Sequence, residues 1–172
     1  MRDTTLLDPE IKQQMVASIP KLRAFAVSLC GNPDRADDLV QECLAKALLN
    51  LSSFTSGTNL LAWLFTILRN AYYSEFRKRR REVADADGIH SATLVSKPTQ
   101  DDHMEFLDFR QALQKLPPDQ REALILIGAS GLSYEEAAQI CNCATGTMKS
   151  RVSRARSRLS ELLGMEASEA PL

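Results

Sequence analysis

The chain has 172 residues, a formal net charge of −1, 44% hydrophobic and 25% charged residues. That supports one folded domain or two small ones, and the near-zero charge excludes a globally basic protein. The longest apolar run, Leu60 to Phe65, is far too short to cross a bilayer, and Met1 to Leu7 is too short and polar for a signal peptide. A soluble, cytoplasmic protein in a reducing compartment is therefore expected.

Glycine is scarce and no strand-type alternation persists, so the expected fold class is all-α. Pro9 suits the first turn of a helix carrying Ile11, Met15 and Ile19. Pro20 opens a second helix, with Leu22, Phe25, Ala26 and Leu29 inward and a stop near Gly31. Asn32 and Pro33 start a third, burying Ala36, Leu39, Val40, Cys43, Leu44 and Ala47. A loop from Leu51 to Asn59 leads into a long fourth helix, from about Leu60 to Arg81, apolar at its start and cationic at its end. The next stretch, poor in large apolar residues, reads as a linker. Helix resumes from Asp101 to Leu116, with Phe106, Phe109, Leu113 and Leu116 as core, and breaks at Pro117-Pro118. A short apolar helix, Asp119 to Ala129, follows. Two small helical domains are expected, at 8–82 and 101–165, joined by a flexible linker at 83–100.

Ser133 and Glu136 have the spacing of a capping box. Ala137 and Ile140 then face inward, and Cys141 to Ala144 make a turn. The last helix carries Met148, Val152, Ala155, Leu159 and Leu162 on one stripe. Its other face carries Thr147, Ser150, Arg151, Arg154 and Arg158, and between Thr145 and Leu159 there are cations but no acid. This is the layout of a helix-turn-helix that enters a DNA major groove. Thr147, Lys149, Ser150 and Arg151 are placed to read bases, Arg154 and Arg158 to hold phosphates.

Two other constellations stand out. Asp38, Gln41 and Glu42 share one exposed helical face, either a plain solvated surface or a docking surface. Phe54, Gly57, Thr58 and Asn59 in the loop precede Trp63, Phe65, Asn70, Tyr72, Tyr73 and Phe76 on the fourth helix, close to Arg69 and the run Arg77, Lys78, Arg79, Arg80 and Arg81. Aromatics interleaved with cations suit stacking and phosphate contact on unpaired bases, although Trp63 by itself reads better as core. Cys30 and Cys43 fit core positions. Cys141 and Cys143 lack further ligands at suitable spacing, and His90 and His103 are isolated. No metal, cofactor or catalytic arrangement is expected.

Together and in this order, these segments resemble the extracytoplasmic-function sigma factors of bacterial RNA polymerase. The resemblance runs from about Asp8 to Leu163. Asp38-Leu-Val-Gln-Glu42 is similar to the family's segment that docks on the β′ clamp helices. Trp63-Leu-Phe-Thr-Ile-Leu-Arg-Asn70 is similar to the segment that recognises and melts the −10 element. Leu116-Pro-Pro-Asp-Gln-Arg-Glu122, Gly131-Leu-Ser-Tyr-Glu-Glu-Ala-Ala138 and Thr147-Met-Lys-Ser-Arg-Val-Ser-Arg-Ala-Arg156 resemble the −35 domain. The resemblance implies a non-catalytic specificity subunit whose partners are core polymerase (β′ clamp helices and β flap), promoter DNA and a small anti-sigma factor, nucleoid-associated when in holoenzyme. It implies that Phe54, Thr58, Asn59 and Asn70, with Arg77, Lys78, Arg79 and Arg80, contact the −10 element. The tract Thr66-Ile-Leu-Arg-Asn70 with Ser74-Glu-Phe-Arg-Lys-Arg-Arg-Arg-Glu-Val83 more narrowly resembles the alphaproteobacterial general-stress-response subgroup. One departure is the Cys-Asn-Cys turn, where many members carry glycine. A stand-alone helix-turn-helix regulator, a nucleic-acid-modifying enzyme and a sigma-like mimic are the competing readings.

Overall fold

The structure, a computed structural model, describes residues 8–85 and 104–164. Most of the expected linker, His90, His103 and the tail after Gly164 lie outside those residues, as does the Phe106 side chain. The described residues form seven α-helices: α1 (Pro9–Cys30), α2 (Pro33–Leu49), α3 (Leu60–Asp85), α4 (Met104–Gln114), α5 (Pro118–Leu124), α6 (Tyr134–Ile140) and α7 (Thr145–Leu163).

The first unit is α1 to α3. Asp8 caps α1 by accepting from the Glu10 N–H at 2.9 Å, with Pro9 in the first turn. The expected new start at Pro20 does not occur, because α1 runs straight through it. Met15 and Ser18 before it and Leu22, Phe25, Ala26 and Leu29 after it are buried in the same core. That packing offsets an interior proline's cost of about 3 kcal/mol. Gly31, at φ 68°, closes the helix in the left-handed conformation and donates to the Val27 carbonyl at 2.8 Å. Asn32 then caps α2 through the Arg35 N–H. Phe25 and Phe65 meet edge to face at 5.0 Å and join α1 to α3.

The second unit is α4 to α7. The expected helix over 119–129 is α5 followed by a wider π turn, Ile125–Ala129, in which the Ser130 N–H donates to the Ile125 carbonyl. Both halves of the Ser133–Glu136 capping box are present. Leu113 and Leu116 pack with Ala155, holding α4 to α7. Phe109, expected in that core, is 36% exposed. It lies on the same stripe, one turn before the packed Leu113. Leu126, Leu132, Ala137, Ile140 and Cys141 belong to the same buried cluster as Leu22, Phe25 and Leu64. The two units are thus packed together, α3 against α6 and α1 against α5.

Candidate nucleic-acid interface

The buried stripe of α2 fixes its rotation and leaves Asp38, Gln41 and Glu42 exposed together. Glu42 pairs with Lys46 at 2.6 Å, and Asp37 is taken by Arg23 at 2.6 Å. Asp38 has no ion-pair partner among the described residues. Leu48 and Leu49 continue the same face and are 52% and 84% exposed. In the sequence this apolar end is marked only by two leucines that fall off the buried stripe.

On α3 the positions Trp63, Asn70, Ser74, Arg77 and Arg81 recur every three, four or seven residues, so they share one face. A cleft of about 310 Å³ opens there between Trp63, Asn70 and Ser74 on α3 and Lys46, Asn50 and Ser53 from the end of α2. Trp63, read from sequence as core, is half-buried and packs against Phe54 at 5.3 Å. Phe65 is fully buried. Thr58 and Asn59 lie elsewhere, in a second cleft of about 330 Å³ shared with Gln14 and Lys21 of α1. The loop residues assigned by resemblance to the −10 element thus lie in two places, with Phe54 beside the Asn70 cleft and Asn59 beside α1. The cations are also dispersed. Arg77 and Arg81 follow Asn70, whereas Arg80 follows Tyr73 and Phe76 around the helix. Arg79 is held by Glu75, which Arg35 also approaches at 3.4 Å, and Lys78 is 4.0 Å from Glu82.

In the helix-turn-helix, the Cys-Asn-Cys turn works without glycine because Asn142 itself takes the left-handed conformation, at φ 51°. Asparagine tolerates that region better than most side chains. Met148, Val152 and Ala155 are buried, so Thr147, Lys149, Ser150, Arg154 and Arg158 face outward. Lys149 lies 5.8 Å from the Tyr134 ring, Ser150 donates back to the Gly146 carbonyl, and Arg158 meets Glu161 at 3.2 Å. Arg151 is more enclosed, its Nε 3.4 Å from Asp119. Burial, with the charge of Glu122, pushes the Cys141 thiol up to about 12, and burial does the same to Cys43. Both thiols stay protonated near neutrality and are poor ligands or nucleophiles.

Comparison with known proteins connects these faces. Residues 15–82 match Sigma-70 region 2, and residues 106–159 match Sigma-70, region 4. The chain is 63% identical over 163 residues to the ECF RNA polymerase sigma factor EcfG of Rhodopseudomonas palustris, covering 95% of this chain and 90% of that one. The chain belongs to the extracytoplasmic-function sigma factors, in the EcfG-like subgroup. It is also 32% identical over 146 residues to the sigma factor CarQ of Myxococcus xanthus, covering 84% of each. Among solved structures it resembles the sigma factor RpoE of Bartonella quintana, seen in complex with the anti-sigma factor NepR. That match has 55% identity and a TM-score of 0.82, covering 92% of this chain and 99% of that one.

A sigma factor is a non-catalytic specificity subunit that directs transcription initiation, so its regions 2 and 4 are binding surfaces. In this sigma factor the two regions also bind each other. Arg69 of region 2 forms a two-pronged pair with Glu122 of region 4, at 2.5 and 3.3 Å. Burial would lower the Arg69 pKa, but the hydrogen bonds and charge of Glu122 more than offset it and leave it raised. Burial first, and then the Glu122 charge, push the nearby Tyr73 hydroxyl up to about 12. Asn59 donates to Glu136 at 2.7 Å, and Lys21 to the Ser130 carbonyl at 3.3 Å. None of these pairs is marked in the sequence, since each joins residues more than fifty positions apart. No helix among the described residues is long and apolar enough to cross a membrane.

Proposed function

We propose that residues 8–82 dock on core polymerase and read a melted −10 element, while residues 101–165 read the −35 element as duplex. The cleft beside Trp63 and Asn70 is the observation that carries this reading. Its volume of about 310 Å³ can accommodate a single base, it has an aromatic wall in Trp63, and its lining offers amides, hydroxyls and the Lys46 side chain. Asn70 captures the base there, Phe54 backs Trp63, and Arg77, Lys78, Arg79 and Arg80 hold the backbone around α3. Thr58 and Asn59 contact the strand from the α1 side of the loop. Asp38, Gln41 and Glu42 meet the β′ clamp helices, and region 4 meets the β flap. The carboxylate of Asp38, free of any described ion pair, is available to a basic partner. Thr147, Lys149, Ser150 and Arg151 read the −35 bases, and Arg154 and Arg158 hold phosphates. Polymerase keeps the two regions at a fixed separation, so two weak contacts act as one strong one.

The NepR complex of the Bartonella sigma factor supports control of this chain by an anti-sigma factor. In the reading proposed here that factor is small and helical, the regulon is a stress response, and the holoenzyme works in the cytoplasm on the nucleoid. Transcription with promoters that differ only at −35 tests the reading of α7. Arg151→Ala should lower initiation about ten- to a hundredfold and narrow the difference between those promoters, since one good base contact is worth about 1–3 kcal/mol. Undiminished discrimination by Arg151→Ala would remove it from the base readers.

A further inference from the structure

Glu122 is 1% exposed, the one buried carboxylate among the described residues, yet region 4 supplies it with no described hydrogen-bond donor. Both of its oxygens are taken by Arg69, 53 positions away in region 2. A buried carboxylate without a partner is strongly unfavourable, so Glu122 needs either Arg69 or water. We propose that the free sigma factor closes on itself through an Arg69–Glu122 latch, so that region 4 masks the Asn59 side of the −10 loop until the chain is opened.

Two further contacts share the geometry. Glu136 has one oxygen on the Ser133 N–H inside its own capping box and the other on the Asn59 amide. The helix-turn-helix therefore occupies, with its own capping carboxylate, a side chain assigned here to promoter DNA. The masking role of the latch rests on that assignment; its existence does not. Lys21, which lines the same cleft as Asn59, donates to the Ser130 carbonyl where region 4 turns into α6.

The closed chain is too short to serve a promoter. Elements near −35 and −10 lie roughly 25 base pairs apart, or about 85 Å of duplex at ~3.4 Å per step. Helix α7 has 19 residues, ~28 Å at 1.5 Å per residue, and it follows the α6 helix that touches Asn59. Simultaneous contact with both elements requires the units to separate. A chain of 18 residues, the number between Asp85 and Met104, spans at most about 60 Å, which permits that separation. A buried ion pair suits a reversible latch. Its desolvation cost nearly cancels its attraction, and water takes over both ends on opening, so the pair fixes the docking geometry without making it permanent.

Small-angle scattering on the full chain alone, without DNA, polymerase or anti-sigma factor, tests the latch. A closed chain of this length should have a radius of gyration near ~16 Å before its tails are counted. Glu122→Gln and Asn59→Asp, the latter placing a second carboxylate against Glu136, should each raise the measured radius by about a fifth. The reversed pair Arg69→Glu with Glu122→Arg should return it to the wild-type value. Circular dichroism separates opening from unfolding, and because Asn59 is exposed, Asn59→Asp keeps the test decisive if Glu122→Gln unfolds. Opened Glu122→Gln, which leaves the strand-contacting residues intact, should also bind a single-stranded −10 oligonucleotide several-fold more tightly than wild type; Asn59→Asp is read by its radius alone, since its new carboxylate would repel the strand. An extended wild-type chain, or an unchanged radius in folded Asn59→Asp and Glu122→Gln, overturns the latch. A changed radius with no gain in oligonucleotide binding keeps the latch and removes its masking role.

Discussion

Helices α3 and α7 both carry a dense run of cations, but they present them differently. In α7 the buried stripe of Met148, Val152 and Ala155 confines the charged residues to the remaining surface, so one side of the helix is ready for a groove. In α3 the run of cations from Arg77 to Arg81 comes after the buried stripe ends at Ala71, and it winds around the helix. Two of them, Arg79 and Lys78, are partnered by acids on α3 itself. A rigid duplex can be met by one flat face. A melted strand bends, and it can be met by a cleft for one base with cations spread on either side of it. The difference in pattern matches the difference in DNA form assigned to the two regions.

The comparison is broken most severely by removing what brings both helices to the same promoter. Asp38→Lys should cost about 2–5 kcal/mol of polymerase affinity if the carboxylate is buried against a cation there. Holoenzyme assembly by gel filtration or fluorescence anisotropy reads this, and normal assembly would return Asp38 to a plain solvated face. Next is the base cleft. Asn70→Ala should reduce initiation and open-complex formation about tenfold while leaving assembly intact, with the loss concentrated on promoters that carry the native −10 element and small on promoters already altered there. Permanganate footprinting of the melted region measures it, and equal losses on every −10 sequence would make Asn70 a general backbone contact. The smallest effect concerns the geometry that aims α7. Asn142→Ala should lower stability by about 1 kcal/mol, because alanine is strained at positive φ, whereas Asn142→Gly should be neutral or better. Thermal melts of the two variants give the ordering, and equal melts would mean that the turn relaxes.

Much of region 4 was legible because its signals are local. The capping box spans three residues, the stripe of α7 repeats every three to four, and each can be checked within one helix. The wrong start at Pro20 arose from an equally local signal. Proline in a first turn and proline on the exposed side of a long helix look alike in sequence, and only packing on both sides of Pro20 distinguishes them. Phe109 illustrates the converse, a residue on the right stripe that is nonetheless 36% exposed, because a stripe fixes a face and not what covers it. The pairs Arg69–Glu122 and Asn59–Glu136 join residues 53 and 77 positions apart. Nothing in the periodicity of either segment marks them, since they depend on how two finished units meet. For the same reason the placement of Phe54 and Asn59 beside two different clefts was invisible in a loop, Leu51 to Asn59, that reads as continuous.

Run-off transcription with purified core RNA polymerase, this protein and promoter DNA from its own genome tests the central claim most directly. The account predicts initiation at discrete start sites that requires both proteins and falls when either the −10 or the −35 element is altered. Polymerase binding without initiation, or tight duplex binding that needs no polymerase, would contradict it.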